Sequence, residues 1–328
     1  MENWYALQSL FVAAVQGLGG WLEVPMKFFS FLGSEEFYLL ALPILYWCID
    51  TGLGLRVGLI LLVSAGLNDS LKMAFHTPRP YWFSASVKPL SAESSFGVPS
   101  GHAQNAVAIW GIAAAYLNKR WAWLSAIMLM LLIGFSRLYL GVHFPQDVLV
   151  GWGIGALLLW GFTRFWSPVA DWLKHQTAGR QIGIAAAVSL LLLLIGSLPY
   201  AGLSHWTLPP DWAVNAARAG DPLPDPVSMN GILTSAGTLF GLVCGLVWMN
   251  AQGGYQASGP VMKRVLRLVL GVVGVLILRY GLGAIFPSGE TLAAFAFRYL
   301  RYALIGAWVS GGAPFLFVRL KLANPPQR

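Results

Sequence analysis

The chain of 328 residues is 57% hydrophobic and only 10% charged, with a formal net charge of +8; soluble domains average about 25% charged residues. This composition excludes an ordinary soluble domain and points to an integral membrane protein, in which apolar stretches of about 17 to 25 residues each cross a ~30 Å hydrocarbon core as a helix. The positive charge reads as loop charge that orients the chain in a bilayer, with no nucleic-acid partner. The two cysteines, Cys48 and Cys244, both lie in apolar segments and support neither a disulfide framework nor a thiolate metal site.

Taken in chain order, the N-terminus carries Glu2 and no basic region followed by a cleavage site, so no removable signal peptide is expected. Residues 4–32 are apolar but interrupted by glutamine and glycine, and read as an interfacial amphipathic helix, with a tenth span as the alternative. Spans are expected at about 35–50, 53–72, 102–117, 121–140, 147–163, 182–198, 229–249, 265–285 and 299–318. Between the second and third, Pro78, Pro80, Pro89 and Pro99 with a serine-rich patch predict an irregular loop over 76–99. The polar stretch 164–181 separates a front half from a back half. The predicted fold is all-α: a polytopic helix bundle of about nine transmembrane helices. It has an N-terminal interfacial segment at 1–34, a helix core at 35–166 and a membrane region of about four further helices at 167–328.

With nine spans, the basic residues sort to one side. Lys119 and Arg120, then Arg164, Lys174 and Arg180, then Lys263, Arg264 and Arg267, and finally Arg319, Lys321 and Arg328 share a face that the positive-inside rule makes cytoplasmic. The loop 76–101, the stretch "GVHFPQD" and the segment 199–228 then face outward, and in the last of these Asp211, Asp221 and Asp225 outnumber Arg218.

Three polar clusters fall on that outer side. The first is Lys72 with Arg79 and Pro80; the second is Pro99, Ser100, Gly101 and His102 at the start of the third span. The third is Ser136 and Arg137, followed by His143 and Asp147 entering the fifth span. Serine caps a helix and glycine lets a ligand approach its free N–H groups, so "PSGH" reads as an anion seat; a simple capped helix is the plainer account. His143 and Asp147, four apart, let a carboxylate hold one ring nitrogen and leave the other free as a nucleophile or base. Lys72, Arg79 and Arg137 could merely snorkel toward the bilayer surface. Converging on a helix N-terminus, they suit a tetrahedral phosphoryl group, whose oxygens take charge-assisted hydrogen bonds. No HExxH, paired CxxC or acid-rich ligand set is present, so neither a metal nor another cofactor is expected.

The stretches "KMAFHTPRP", "PSGH" and "SRLYLGVHFPQD" resemble the three-part signature of the type 2 phosphatidic acid phosphatase (PAP2) family, which is related to vanadium haloperoxidases. The likeness covers roughly residues 35–165; the phrase "RPYW" and the nine-span layout are similar to glucose-6-phosphatase and, more loosely, to sphingosine-phosphate phosphatases. The resemblance implies that His143 attacks phosphorus and becomes a phosphohistidine, with Asp147 orienting it. His102 then protonates the leaving oxygen and later activates water. Lys72, Arg79 and Arg137 hold the phosphoryl oxygens, assisted by Ser100 and the Gly101 N–H. His76 reads as a variable, solvent-facing position of the first motif. Asp69, with Asn68 about one turn before Lys72, reads as structural support, and Arg279 is given no catalytic role.

The function expected is therefore a metal-independent phosphatase acting on a lipid phosphomonoester or diphosphate at the outer face of a membrane, a bacterial inner membrane by preference, with the C-terminus cytoplasmic. Its partners would be the lipid substrate and membrane lipids. Hydrolysis of a sugar phosphate, as in glucose-6-phosphatase, is the second reading, and a non-catalytic lipid-binding or transport protein on the same scaffold is the third. Vanadate-dependent halide oxidation ranks last.

Overall fold

The computed structural model describes Glu2–Asn324, apart from the Leu39 side chain; Arg328, expected in the basic tail, lies outside these residues. In chain order the helices are α1 (Glu2–Gln16), α2 (Glu23–Phe31), α3 (Glu35–Ile44), α4 (Thr51–Phe75), α5 (Pro80–Phe83), α6 (Gly101–Leu117), α7 (Arg120–Tyr139), α8 (Pro145–Lys174), α9 (Ala178–Gly202), α10 (Pro210–Ala216), α11 (Asn230–Ala251), α12 (Val261–Leu276), α13 (Leu282–Ile285), α14 (Leu292–Ala307) and α15 (Ala313–Arg319). Short π-helical turns follow α3, α12 and α14, and no strand occurs among the described residues. The fold is all-helical, as the apolar patterning requires.

Among the described residues, seven helices are long and apolar enough to cross a membrane, and up to eight if Gly20–Phe31 and Glu35–Ile49 together form one span. Length and composition thus stop short of the nine spans expected. The segments 35–50 and 102–117 are helical as predicted, but the first contains Pro43 and finishes in a π-turn. α6 has 17 residues, ~26 Å at 1.5 Å per residue, a little under the ~30 Å core. The polar stretch 164–181 is no break: α8 runs 30 residues, to Lys174, or about 45 Å. Its last turns keep their charges at the surface, where Lys174 pairs with Asp171 at 2.9 Å. Polarity there ends the apolar pattern without ending the helix.

The chain divides into two compact units that are not consecutive in sequence. The first comprises Met1–Tyr38, Leu67–Gly161 and Gly196–Ser228. Its core joins Val12, Val15 and Met26 to Trp82, Phe96, Tyr139 and Phe144. Residues 4–32 therefore form two helices, α1 and α2, instead of one interfacial helix: one face packs on α5 and α7, while Trp4, Leu7, Phe11 and Trp21 stay exposed. Gly19, at φ 120°, makes the turn between them in a region that an L side chain rarely adopts. The loop 76–99 is irregular except for α5. It is tied down by Arg218, whose guanidinium donates to the carbonyls of Tyr81, Ser84, Ala85 and Val87.

The second unit comprises Leu39–Gly66, Phe162–Ile195 and Met229–Arg328. Its central contact is α11 against α14. Gly237, Gly241 and Gly245 repeat every four residues along α11, and a Cβ on any of them would collide with the carbonyl oxygen of Tyr299, Ala303 or Ala307. Small residues at this spacing let helix backbones touch, the device on which apolar helices rely when lipid offers no hydrophobic contrast. Trp47 Nε1 donates to Val309 O at 2.8 Å and Trp308 Nε1 to Gly271 O at 2.9 Å. Cys48 and Cys244 are free thiols, and the Arg279 guanidinium lies 5.8 Å from the centre of the Tyr280 ring.

Candidate active site

The three sequence clusters meet in the first unit. Ser100 is the N-cap of α6, its hydroxyl accepting from Ala103 N at 3.5 Å. Ser100 N in turn donates to Asp147 O at 2.9 Å, which joins the start of α6 to the first turn of α8. The two helices can approach this closely because α8 presents Gly151 and Gly155 to them: a Cβ at either would sit 2.6 Å from the carbonyl oxygen of Ser100 or Gln104. Asn68 of α4 supports the same corner, donating to Pro99 O at 3.3 Å and Gln104 Oε1 at 2.9 Å.

His143 lies in the short link between α7 and α8 and is 1% exposed. Its Nδ1 is 3.1 Å from Asp147 Oδ2, an oxygen that also accepts from Phe144 N at 2.9 Å. Its Nε2 is 3.2 Å from Arg79 Nη1. A guanidinium can only donate, so Nε2 accepts and Nδ1 carries the proton toward Asp147. Burial first, then the charges of Arg79, Arg137 and Lys72, hold this imidazole well below the ordinary histidine range. The ring is neutral at pH 7, with its lone pair on the face that Arg79 covers.

Arg79 is fully buried and its donors are all engaged. Nε gives to Ser95 O at 2.6 Å and Nη1 also to Val142 O at 2.9 Å; Nη2 gives to Ser95 Oγ at 3.1 Å and Phe96 O at 3.2 Å. Lys72 Nζ donates to the same Ser95 hydroxyl at 2.8 Å. Arg137, in the last turn of α7, donates from Nη1 to Ser30 Oγ of α2 and from Nη2 to Glu93 Oε1, while its Nε is buried without a hydrogen-bond partner. Glu93 Oε2 lies 3.6 Å from Arg79 Nη2. Burial alone would push the Glu93 carboxyl up, but Arg79 and Arg137 outweigh it and hold the group well below the usual carboxylate range. His102, half-buried one residue into α6, feels the charges of Arg137, Glu93, Lys72 and Arg79. Among the described residues, no group of three or more His, Cys, Asp and Glu could hold a metal ion.

Comparison with known proteins gives the chain a family. The PAP2 superfamily profile matches residues 53–170, and the profile of the PAP2 superfamily phosphatase transmembrane extension matches 233–325. Phosphatidylglycerophosphatase B of Bacillus subtilis (strain 168) is 33% identical over 164 residues, 46% of this chain and 78% of that protein. The chain belongs to the PAP2 superfamily. Glucose-6-phosphatase 3 of Bos taurus is also similar, 29% identical over 242 residues, 66% of this chain and 67% of that protein. Among solved structures, the crystal structure of the first transmembrane PAP2 type phosphatidylglycerolphosphate phosphatase from Bacillus subtilis aligns at 27% identity with a TM-score of 0.42, covering 51% of this chain and 94% of that one.

As a PAP2 phosphatase, the protein is a membrane-embedded phosphoric monoester hydrolase. Of the residues that the motifs single out, Lys72, Arg79 and Arg137 meet through Ser95 and Glu93; Ser100, His143 and Asp147 meet through α8. His76 is exposed, at φ 38°, and Asp69 is half-buried. Motif reading missed Glu93, Ser95 and Ser30. Glu93 did leave a signal, as the one acid in the loop 76–101. Ser30 left none: it lies in α2, 107 residues from the arginine that it caps.

Proposed function

We propose that this PAP2 phosphatase hydrolyses a lipid phosphomonoester or diphosphate through a phosphohistidine on His143, at the outer face of a bacterial inner membrane. The observation that carries the reading is the His143 ring held between Asp147 and Arg79, with Nδ1 at 3.1 Å from the carboxylate and the Nε2 lone pair toward a cation. Nε2 attacks phosphorus as the ester P–O bond breaks, and His102 gives its proton to the leaving oxygen. His102 then takes a proton from water, whose oxygen attacks the phosphohistidine; the P–N bond breaks, and phosphate leaves with His143 restored. General acid–base help of this kind contributes about 10² to 10⁴ in rate. Arg137, with an unpartnered Nε, Lys72 and Arg79 neutralise the phosphoryl oxygens, Arg79 also holding the ring, and the Gly101 N–H at the start of α6, behind the Ser100 cap, offers a further donor. These cations supply the charge that a metal would otherwise bring, so chelators should leave the rate unchanged.

The similarity to phosphatidylglycerophosphatase B supports a lipid substrate whose tail stays in the bilayer. The similarity to glucose-6-phosphatase 3 favours a sugar phosphate as the second reading. The test is phosphate release in detergent from phosphatidate, phosphatidylglycerol phosphate, a prenyl diphosphate, sphingosine phosphate and glucose 6-phosphate. Fastest turnover on a lipid is expected, and fastest turnover on the sugar would reverse the order. The basic loops support an outward site and a cytoplasmic C-terminus. A water-soluble phosphate ester should be cleaved by right-side-out vesicles and spared by sealed inverted ones.

A further inference from the structure

The proposed cradle already contains an anion of its own. Arg137 Nη2 donates to Glu93 Oε1, and Arg79 Nη2 stands 3.6 Å from Oε2. Carboxylate and phosphoryl oxygens compete for the same guanidinium geometry. The backbone of Glu93 is pinned: its N donates to Tyr81 Oη at 3.0 Å, and Tyr81 Oη donates to its carbonyl at 3.1 Å. The side chain is freer, keeping 24% exposure where the Arg79 and Arg137 side chains keep 0% and 2%. Beside it lies a cavity of about 210 Å³, lined by Tyr81, Glu93, Ser94 and Asp221 among others. Asp221 on its wall is exposed, so solvent screens its repulsion for a second carboxylate.

We propose that Glu93 is a specificity-determining residue of the cradle: its carboxylate occupies the anion seat between Arg137 and Arg79, and a terminal phosphoryl dianion displaces it by rotation into the adjoining cavity. The proposal rests on the reading of the two arginines as phosphoryl ligands and adds the substrate class that they admit. A phosphomonoester or a terminal diphosphate group brings two negative charges against the one that leaves, and gains Coulomb energy on both guanidiniums. A phosphodiester brings one charge for one, and so gains nothing by the exchange. Only the Glu93 side chain has to move, since the Tyr81 hydroxyl keeps its backbone in place.

The test is calorimetric titration of the purified full chain with inorganic phosphate and with dimethyl phosphate, at fixed pH and ionic strength. Glu93→Gln keeps the size of the side chain and removes its charge. It should bind phosphate about tenfold more tightly or better, as expected when a charge-assisted competitor is removed, and should acquire affinity for dimethyl phosphate. Unchanged or weaker phosphate binding would assign Glu93 a purely structural role and overturn the proposal. If Glu93→Gln fails to fold, a structure of the wild type with phosphate decides: Glu93 should have left Arg137, and a carboxylate still on Arg137 beside a seated phosphate overturns the idea. A wild type that hydrolyses phosphate esters while Glu93→Gln binds phosphate no better removes the Glu93 role alone. Altered phosphate binding in a protein that hydrolyses no ester removes the phosphatase reading and keeps the Glu93 role.

Discussion

Two helix pairs use the same packing device for different ends. In the first unit α8 turns Gly151 and Gly155 against the carbonyls of Ser100 and Gln104; in the second, α11 turns Gly237, Gly241 and Gly245 against those of Tyr299, Ala303 and Ala307. Both contacts leave no room for a methyl group. The α6–α8 pair carries Ser100, His102 and Asp147 at one end, with buried arginines around them. Among the described residues, no ion pair joins α11 to α14. Close backbone approach is thus a general solution for packing helices in lipid. Buried charge is costlier: taking ions out of water costs several kcal/mol each unless partners compensate, and the buried Arg267 of α12 meets that cost with the carbonyls of Gln256, Ala257 and Ser258, as Arg79 does with those of Ser95, Phe96 and Val142.

The comparison can be broken by separating activity from folding. His143→Gln should lower phosphate release by more than about 10⁴-fold, as loss of a nucleophile does in other covalent enzymes, with the thermal midpoint in detergent unchanged; retained turnover would reassign the nucleophile. Gly151→Val should push α8 away from Ser100 and cost about 10²-fold in kcat, the scale of an ångström-sized misplacement. Its counterpart Gly241→Val should instead destabilise the fold by about 1 to 3 kcal/mol through overpacking, with kcat per folded molecule preserved. If both glycine variants behave alike, the two contacts do not differ in role.

Smaller effects sharpen the first half of the comparison. The nucleophile acts as the free base, and burial with the surrounding cations holds the His143 pKa low. The acid limb of kcat/KM should therefore fall below pH ~6.5, the ordinary histidine value, and activity should persist where an unperturbed histidine would already be protonated. A pH–rate profile with its acid limb above that value would contradict this assignment. Ser30→Ala removes one partner of Arg137. It should raise KM about three- to tenfold, the worth of one hydrogen bond to a charged group near a site, with little change in kcat.

Much of this organisation was legible in the sequence, and the misses have physical causes. Apolar run length gave the all-helical membrane class, but it could not tell that Pro43 and a π-turn interrupt the first expected span, or that α8 continues through Arg164 and Lys174. Hydropathy registers where apolar residues stop; a helix stops where its backbone hydrogen bonds do. Residues 4–32 form two helices where one was expected, with the turn at Gly19. Their exposed apolar face resembles a membrane-surface helix, while Val12, Val15 and Met26 on the other face enter the core of the first unit. At the site, Lys72, Arg79, Ser100, Arg137, His143 and Asp147 stood out because strong cations, a capping serine and a His–Asp pair are unusual in so apolar a chain. Glu93 and Ser30 did not, since each gains its meaning only from the arginine that it meets.

By itself the sequence determined the membrane class, the helical architecture and the family, because composition, run length and motif spacing are properties of the chain that survive without coordinates. Only the tertiary structure decided which charges meet. Arg79 spends its donors on Ser95, Phe96, Val142 and His143, and Glu93 stands between two arginines 14 and 44 residues away in the chain. Electrostatic pairing depends on distance in space and on the exclusion of water, and neither is written in the order of residues.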